Sequence, residues 1–141
     1  MYSFIVKKKA KWGILSTAKI SESAIIPAIK SSKNSCLYAV ASRDKIKSKI
    51  FAKKFKIEKN YSDYKSLYQD PNIDIIYNPL PNHLHLTSTI EAAKNKKNVL
   101  LEKPITLKSK DVDKLITVSK KYNIIIKEAF MLRYHQQWKW L

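Results

Sequence analysis

The 141-residue chain holds one glycine, Gly13, and one cysteine, Cys36. One glycine excludes a phosphate loop of the G-x-G-x-x-G type, in which three glycines permit a tight turn and close approach of the backbone to pyrophosphate. One cysteine excludes an internal disulfide. Cys36 is read as a small buried side chain entering a strand, and the expected setting is the reducing cytoplasm. Arginine is nearly absent: only Arg43 and Arg133 occur, so lysine carries almost all of a formal net charge of +17. Such a charge suggests nucleic acid or an anionic membrane. The lysines are nevertheless scattered from Lys7 to Lys139, apart from a run at Lys7 to Lys9. They lack the arginine forks that read phosphates and base edges, so no specific nucleic-acid partner is expected. No apolar run is long enough to cross a bilayer, and "MYSFIVKKKAKWG" has no signal-peptide pattern, so no membrane partner is expected either.

What the chain does have is alternation. Short apolar runs at 11–15, 37–41, 74–78, 98–101 and 124–127, with a weaker one near Asn60 and Tyr61, read as strands buried on both faces. Amphipathic stretches at 19–30, 45–55, 64–68, 84–96 and 110–122 read as helices between them. The last places Val112, Leu115, Ile116 and Ser119 on one face, suited to packing on a sheet. Strand and helix alternate about six times, and right-handed crossovers then predict an α/β fold with a doubly wound, Rossmann-type parallel sheet. The expected organisation is a basic tail at 1–9, the sheet domain at 10–128, and the start of a connecting segment at 129–141. That segment, "AFMLRYHQQWKWL", carries Trp138 and Trp140 on what reads as the first turns of a helix.

In such a sheet, ligands bind at the carboxyl ends of the strands. After the first strand, Ser16, Thr17, Ala18, Lys19, Ile20 and Ser21 occupy the places of the glycine motif. The small residues among them allow a phosphate to approach a helix N-terminus, provided the turn needs no positive φ; they also suit a plain structural turn. After the second strand, Ser42 and Arg43 form the hydroxyl and guanidinium pair that suits a 2′-phosphate, which favours NADP over NAD. Asp44 is read as the N-cap of the next helix. After the fourth strand, "NPLPNHLH" offers Asn82 as a helix cap, with His83 and His85 nearby. Two histidines at i and i+2 point to different sides of a helix, so no metal site is expected. They read either as surface histidines or as a contact to the nicotinamide end. After the fifth strand, "LLEKPITL" places Glu102 and Lys103 at the crevice before Pro104. The pair reads as a strand-ending salt bridge or as an ammonium serving proton transfer.

Taken together, "KWGILSTAKIS", "VASRD", "DPNIDIIYNPLPNHLH", "LLEKPI" and "KEAFMLRYHQQW" resemble, in this order and spacing, the glucose-fructose oxidoreductase, inositol dehydrogenase and MocA family. The resemblance is nearest to the branch of NADP-dependent xylose and dihydrodiol dehydrogenases and covers residues 10–141. It implies a nicotinamide dinucleotide, NADP, held by Ser16, Thr17, Ala18 and Ile20 at the pyrophosphate and by Ser42 and Arg43 at the 2′-phosphate. Leu80, Asn82 and His85 would lie on the nicotinamide side, with Glu102 and Lys103 at the reactive end and Lys103 as the active-site lysine. It further implies hydride transfer to or from a sugar-like or diol CH–OH group. Family members usually have glycine at the places of Lys56 and near Lys96, at helix ends, and the branch usually has proline at the place of Gln136. They also continue into an α+β domain that supplies the substrate pocket and most of the oligomer interface. The expectation is therefore a truncated member, with the C-terminal domain absent and little turnover on its own. Two rival readings are a non-catalytic module that docks through Trp138 and Trp140, and a basic nucleic-acid binder, which the dispersed lysines disfavour.

Overall fold

The computed structural model describes residues 9–140. Six strands, β1 (Ala10–Leu15), β2 (Ser35–Ala41), β3 (Lys59–Tyr61), β4 (Ile75–Asn78), β5 (Asn98–Leu101) and β6 (Ile126–Glu128), form one parallel sheet in the order β3-β2-β1-β4-β5-β6. The order reverses between β1 and β4, and this is where the predicted doubly wound sheet places its binding crevice. Five helices connect the strands: α1 (Ile26–Ser31), α2 (Lys45–Phe55), α3 (Tyr64–Gln69), α4 (His85–Lys94) and α5 (Ser109–Tyr122). Ile14, Val40 and Tyr77 pack on one face of the sheet against α1 and α2, through Ile26, Phe51 and Ala52. Leu15, Ala39, Ile76 and Leu101 pack on the other face against α3, α4 and α5, through Leu67, Ala92 and Leu115. Cys36 is half-buried in β2, less hidden than expected.

Differences from the expected elements have local causes. The first helix opens as a π turn over Ser21–Ile25, in which the Ile26 N–H donates to the Ser21 carbonyl. Pro27 follows; its ring collides with the carbonyl four residues back in a regular helix, and the wider turn relieves this. The last strand starts at Ile126 rather than Ile124, because the Ile124 N–H is taken by the Ser119 carbonyl at the end of α5 (3.1 Å). Only Leu115 of the predicted α5 face is buried; Ile116 stays exposed, and Val112 and Ser119 are half-buried. The short edge strand β6 leaves these residues an open groove beside Ile105 and Ile126. Asp44 caps α2 as expected, accepting from the N–H groups of Ile46 (2.9 Å) and Lys47 (3.0 Å). Beyond β6 the chain takes two 3-10 turns, Met131–Tyr134 and Gln136–Lys139, in place of a regular helix.

Gly13 is buried in the middle of β1. A Cβ there would lie 3.0 Å from Ile73 Cδ1 and 3.1 Å from Leu67 Cδ2, inside normal contact distance. Both neighbours are buried and have little room to retreat. Gly13→Ala is expected to cost about 1 kcal/mol through overpacking, read as a lower urea midpoint at unchanged slope. An unchanged midpoint would show that the Leu67 and Ile73 side chains can give way.

Candidate functional site

At the end of β1, the Ser16 N–H donates to the Ala41 carbonyl at 2.7 Å, and the chain turns through a left-handed Ser16 (φ 66°). The turn therefore does need a positive φ, against the proviso above, and serine adopts it at a cost of about 1–2 kcal/mol. The first helical N–H groups to find partners are those of Ser21 and Glu22, which both donate to the Ala18 carbonyl (3.0 and 3.4 Å). Amides before them have no carbonyl a turn earlier to bond, so Thr17, Ala18 and Ile20 surround a helix start of the kind that receives anions. Ser21, at the third glycine place, is fully buried, and its Oγ has no partner among the described residues.

At the end of β2, Ser42 is buried, and its Oγ accepts from the Asp44 N–H at 3.2 Å. Arg43 is exposed and edges a cleft of about 290 Å³ shared with Tyr64, Tyr68, Leu80, Leu84 and Thr87. Leu80 thus lines the cleft that Arg43 edges. The turn that carries it is set by Asn78, a fully buried residue that sequence reasoning passed over. The Asn78 amide donates to Ser88 Oγ (2.7 Å) and Thr89 Oγ1 (3.2 Å), and its carbonyl oxygen accepts from the Leu80 N–H (3.2 Å).

Asn82 is exposed and opens a 3-10 turn, Asn82–Leu84, without capping it; the preceding residue is Pro81, which has no side chain able to do so. His83 is exposed, whereas His85 is fully buried, with ring nitrogens 2.8 Å from the carbonyl oxygens of Pro104 and Leu80. No atom of His85 is open to a ligand. Its part is to tie the turn after β4 to the turn after β5, which corrects the expected nicotinamide contact. Among the described residues, no three His, Cys, Asp or Glu side chains gather as a metal site.

The turn after β5 brings out Glu102 and Lys103, and the Lys103–Pro104 peptide is cis. Their side chains do not pair. Glu102 Oε1 accepts from the Tyr77 hydroxyl at 2.6 Å, and Oε2 accepts from the Lys103 N–H at 3.2 Å. The Lys103 ammonium is exposed and has no ion-pair partner among the described residues. Glu128, at the end of β6, accepts from the Ile105 N–H (2.8 Å) and holds the far side of the turn. Glu102 lines a second, mostly apolar cleft of about 330 Å³ with Ile20, Leu100, Phe130 and Tyr134. The structure therefore joins Ile20 to Glu102 in one cleft, and Leu80 to Arg43 in another.

Residues 10–130 match the model of the oxidoreductase family with an NAD-binding Rossmann fold, GFO_IDH_MocA. The chain belongs to this family. Among its relatives, trans-1,2-dihydrobenzene-1,2-diol dehydrogenase of Xenopus laevis is 38% identical over 88% of this chain and 38% of its own length. The D-xylose 1-dehydrogenase (NADP(+)) 2 of Haloferax volcanii is 35% identical over 88% of this chain and 38% of its own. The 3-ketoreductase KijD10 of Actinomadura kijaniata, solved with NADP and TDP-benzene, superposes with a TM-score of 0.89 at 27% identity, over 94% of this chain and 40% of that one. The chain spans about two fifths of the length of these oxidoreductases.

The residues present fit the family's dinucleotide: a left-handed small residue at the turn, a helix start behind it, and clefts lined by Arg43 in one case and by Ile20 and Glu102 in the other. Ser21 Oγ is the flaw in this packing, since a buried hydroxyl without a partner costs about 1–3 kcal/mol. Ser21→Ala should raise stability by about 1 kcal/mol in urea unfolding and leave dinucleotide affinity unchanged. A loss of stability would mean that the hydroxyl has a partner after all.

Proposed function

We propose that this chain forms the NADP-binding part of an oxidoreductase that moves hydride between the cofactor and a sugar-like or diol CH–OH group. The observation that carries the reading is the Ser42–Arg43 pair at the end of β2, with Arg43 exposed on the rim of the Tyr64, Tyr68 and Leu80 cleft. A 2′-phosphate needs charge-assisted donors, and a guanidinium with no ion-pair partner among the described residues, beside an apolar slot for a purine, supplies them. NADP, once bound, supplies the hydride acceptor or donor at its nicotinamide. The rest falls to the chain. The helix start behind Ser16, Thr17 and Ala18 holds the pyrophosphate, Ile20 and Glu102 flank the nicotinamide half, and the Lys103 Nζ carries or orients the proton at the substrate oxygen. Asn82, exposed on the turn after β4, is available to the ribose between the two clefts. The relatives named for NADP, xylose and a dihydrodiol support this substrate class. The proposed location is the cytoplasm, in keeping with the lone Cys36, and no helix among the described residues is long and apolar enough to cross a membrane.

A second reading has its own observation: Phe130, Met131, Leu132, Tyr134, Trp138 and Trp140 are all exposed, the last at 87%. A non-catalytic module docking through them would self-associate or capture a partner; a strictly monomeric chain in sedimentation at high concentration, indifferent to Trp138→Ser, argues against it.

The main test is titration with NADPH and NADH at low and high salt, followed by nicotinamide fluorescence. Saturable binding that prefers NADPH and survives high salt is expected. Arg43→Ala should weaken NADPH by about 10- to 100-fold, the worth of a hydrogen bond to a charged group, while leaving NADH unaffected. Equal fading of both ligands with salt would reduce the binding to unspecific attraction by the lysines and end the proposal.

A further inference from the structure

Tyr77 sits in β4 with no exposed surface. It packs among Ile14, Ile26 and Val40, neighbours that a plain aliphatic residue would satisfy equally well. A tyrosine in that place brings a hydroxyl that must find a partner, a demand packing does not explain. Strand pairing supplies the partner: Tyr77 lies opposite Leu100 in β5, and Glu102, two residues on, returns to the same face of the sheet. There Glu102 Oε1 accepts from the Tyr77 hydroxyl at 2.6 Å. Burial, and then the carboxylate itself, push the Tyr77 pKa upward, so the hydroxyl stays a donor at any working pH. A carboxylate has about four acceptor positions. Tyr77 and the Lys103 N–H occupy two of them, and the others are open to the donors of a ligand in the cleft that Glu102 shares with Ile20.

We propose that Tyr77 is a positioning residue of this site, whose hydroxyl fixes the Glu102 carboxylate as the acceptor for the ribose hydroxyls or carboxamide N–H of the nicotinamide riboside half. The inference rests on the NADP reading above. Tyr77 itself touches no ligand; it acts through Glu102. It is also independent of Arg43, which serves the other end of the dinucleotide.

The test compares wild type, Tyr77→Phe, Glu102→Ala and the double variant with two ligands: NADPH, and adenosine 2′,5′-bisphosphate, which has the 2′-phosphate half and no nicotinamide. Phenylalanine keeps the buried ring, and thermal melts check that each variant is folded. Tyr77→Phe is expected to weaken NADPH by about 3- to 10-fold, the worth of one hydrogen bond, and to shift the emission of bound NADPH. The bisphosphate should bind every variant alike, and the double variant should bind NADPH no more weakly than Glu102→Ala alone, because both changes break one device. Equal weakening of both ligands would make Tyr77 a packing residue only, and additive losses would separate it from Glu102; either overturns the proposal. Wild type that binds the bisphosphate but not NADPH also overturns it while leaving the 2′-phosphate site standing. Wild type that binds neither ligand removes the NADP reading, and this inference with it.

Discussion

The fold depends on how closely the crossover from β3 to β4 can approach β1. That crossover, through α3 and the loop to Ile73, carries the chain past the centre of the sheet so that the second half winds in the opposite direction. Winding reversal creates the crevice between β1 and β4, and the crevice is the only place where β1, paired on both sides, can meet a ligand. Leu67 and Ile73 press onto β1 at Gly13, where a methyl group would intrude. The chain therefore has its one glycine under the crossover and none in the turn that would face a phosphate. Packing at the centre of the sheet took precedence, and the turn was made from serine and alanine.

Making do without glycine recurs at the helix ends. Lys56 and Asn123 adopt φ of 55° and 52° directly after α2 and α5, and Lys96 adopts 57° after Asn95, which follows the last residue of α4. Each costs roughly 1 kcal/mol relative to glycine. In each case the next residue completes the closing bond of a Schellman motif: Ile57 to the Ala52 carbonyl (2.8 Å), Lys97 to Ala92 (3.0 Å) and Ile124 to Ser119 (3.1 Å). Each of these following residues is buried. Two are apolar and gain by burial. The third, Lys97, brings an ammonium that donates to the Asp70 and Ile73 carbonyls (2.6 and 2.8 Å), at the foot of the same crossover. Burial pulls its pKa down, while the negative charges of Asp70 and Asp74 pull the other way. A strained helix end thus becomes a staple for the loop over Gly13.

Period and order made most of the fold legible. Apolar runs without polar alternation marked the strands, and Asp44 before a helical period marked its cap. What stayed hidden depended on partners distant in sequence. Nothing in "YNPLPN" says that Asn78 will turn inward to Ser88 and Thr89, or that Tyr77 will reach Glu102, 25 residues on. His85 shows the same limit from the other side. Its position after β4 and the family resemblance suggested a ligand contact, yet its ring lies fully buried against two carbonyls from separate turns. Leu80 lies at the end of β4, as read, but its place beside Arg43 in one cleft depends on the bond from its N–H to Asn78. Strand ends locate a site from sequence; where a side chain goes beyond them is decided by hydrogen bonds to partners distant in sequence, in α4 for Asn78 and across the sheet for Tyr77.

The separation of Glu102 from Lys103 follows from that same cross-sheet bonding and has a chemical consequence. Had the two side chains paired, the carboxylate would have cancelled the ammonium beside the crevice. Instead the carboxylate accepts from the Tyr77 hydroxyl and the Lys103 backbone N–H, and it lines the Ile20 cleft. The ammonium is left exposed at the end of β5. In water such a charge interacts with a partner 4 Å away by only about 1 kcal/mol, and at an effective dielectric constant nearer 20 by about four times as much. Proton chemistry at Lys103, as proposed, would therefore gain strength only as water is displaced from around it. On the proposed reading, holding the Glu102 carboxylate toward the cofactor and powering Lys103 are separable tasks: the hydrogen bonds from Tyr77 and the Lys103 N–H would serve the first, and displacement of water from the crevice the second.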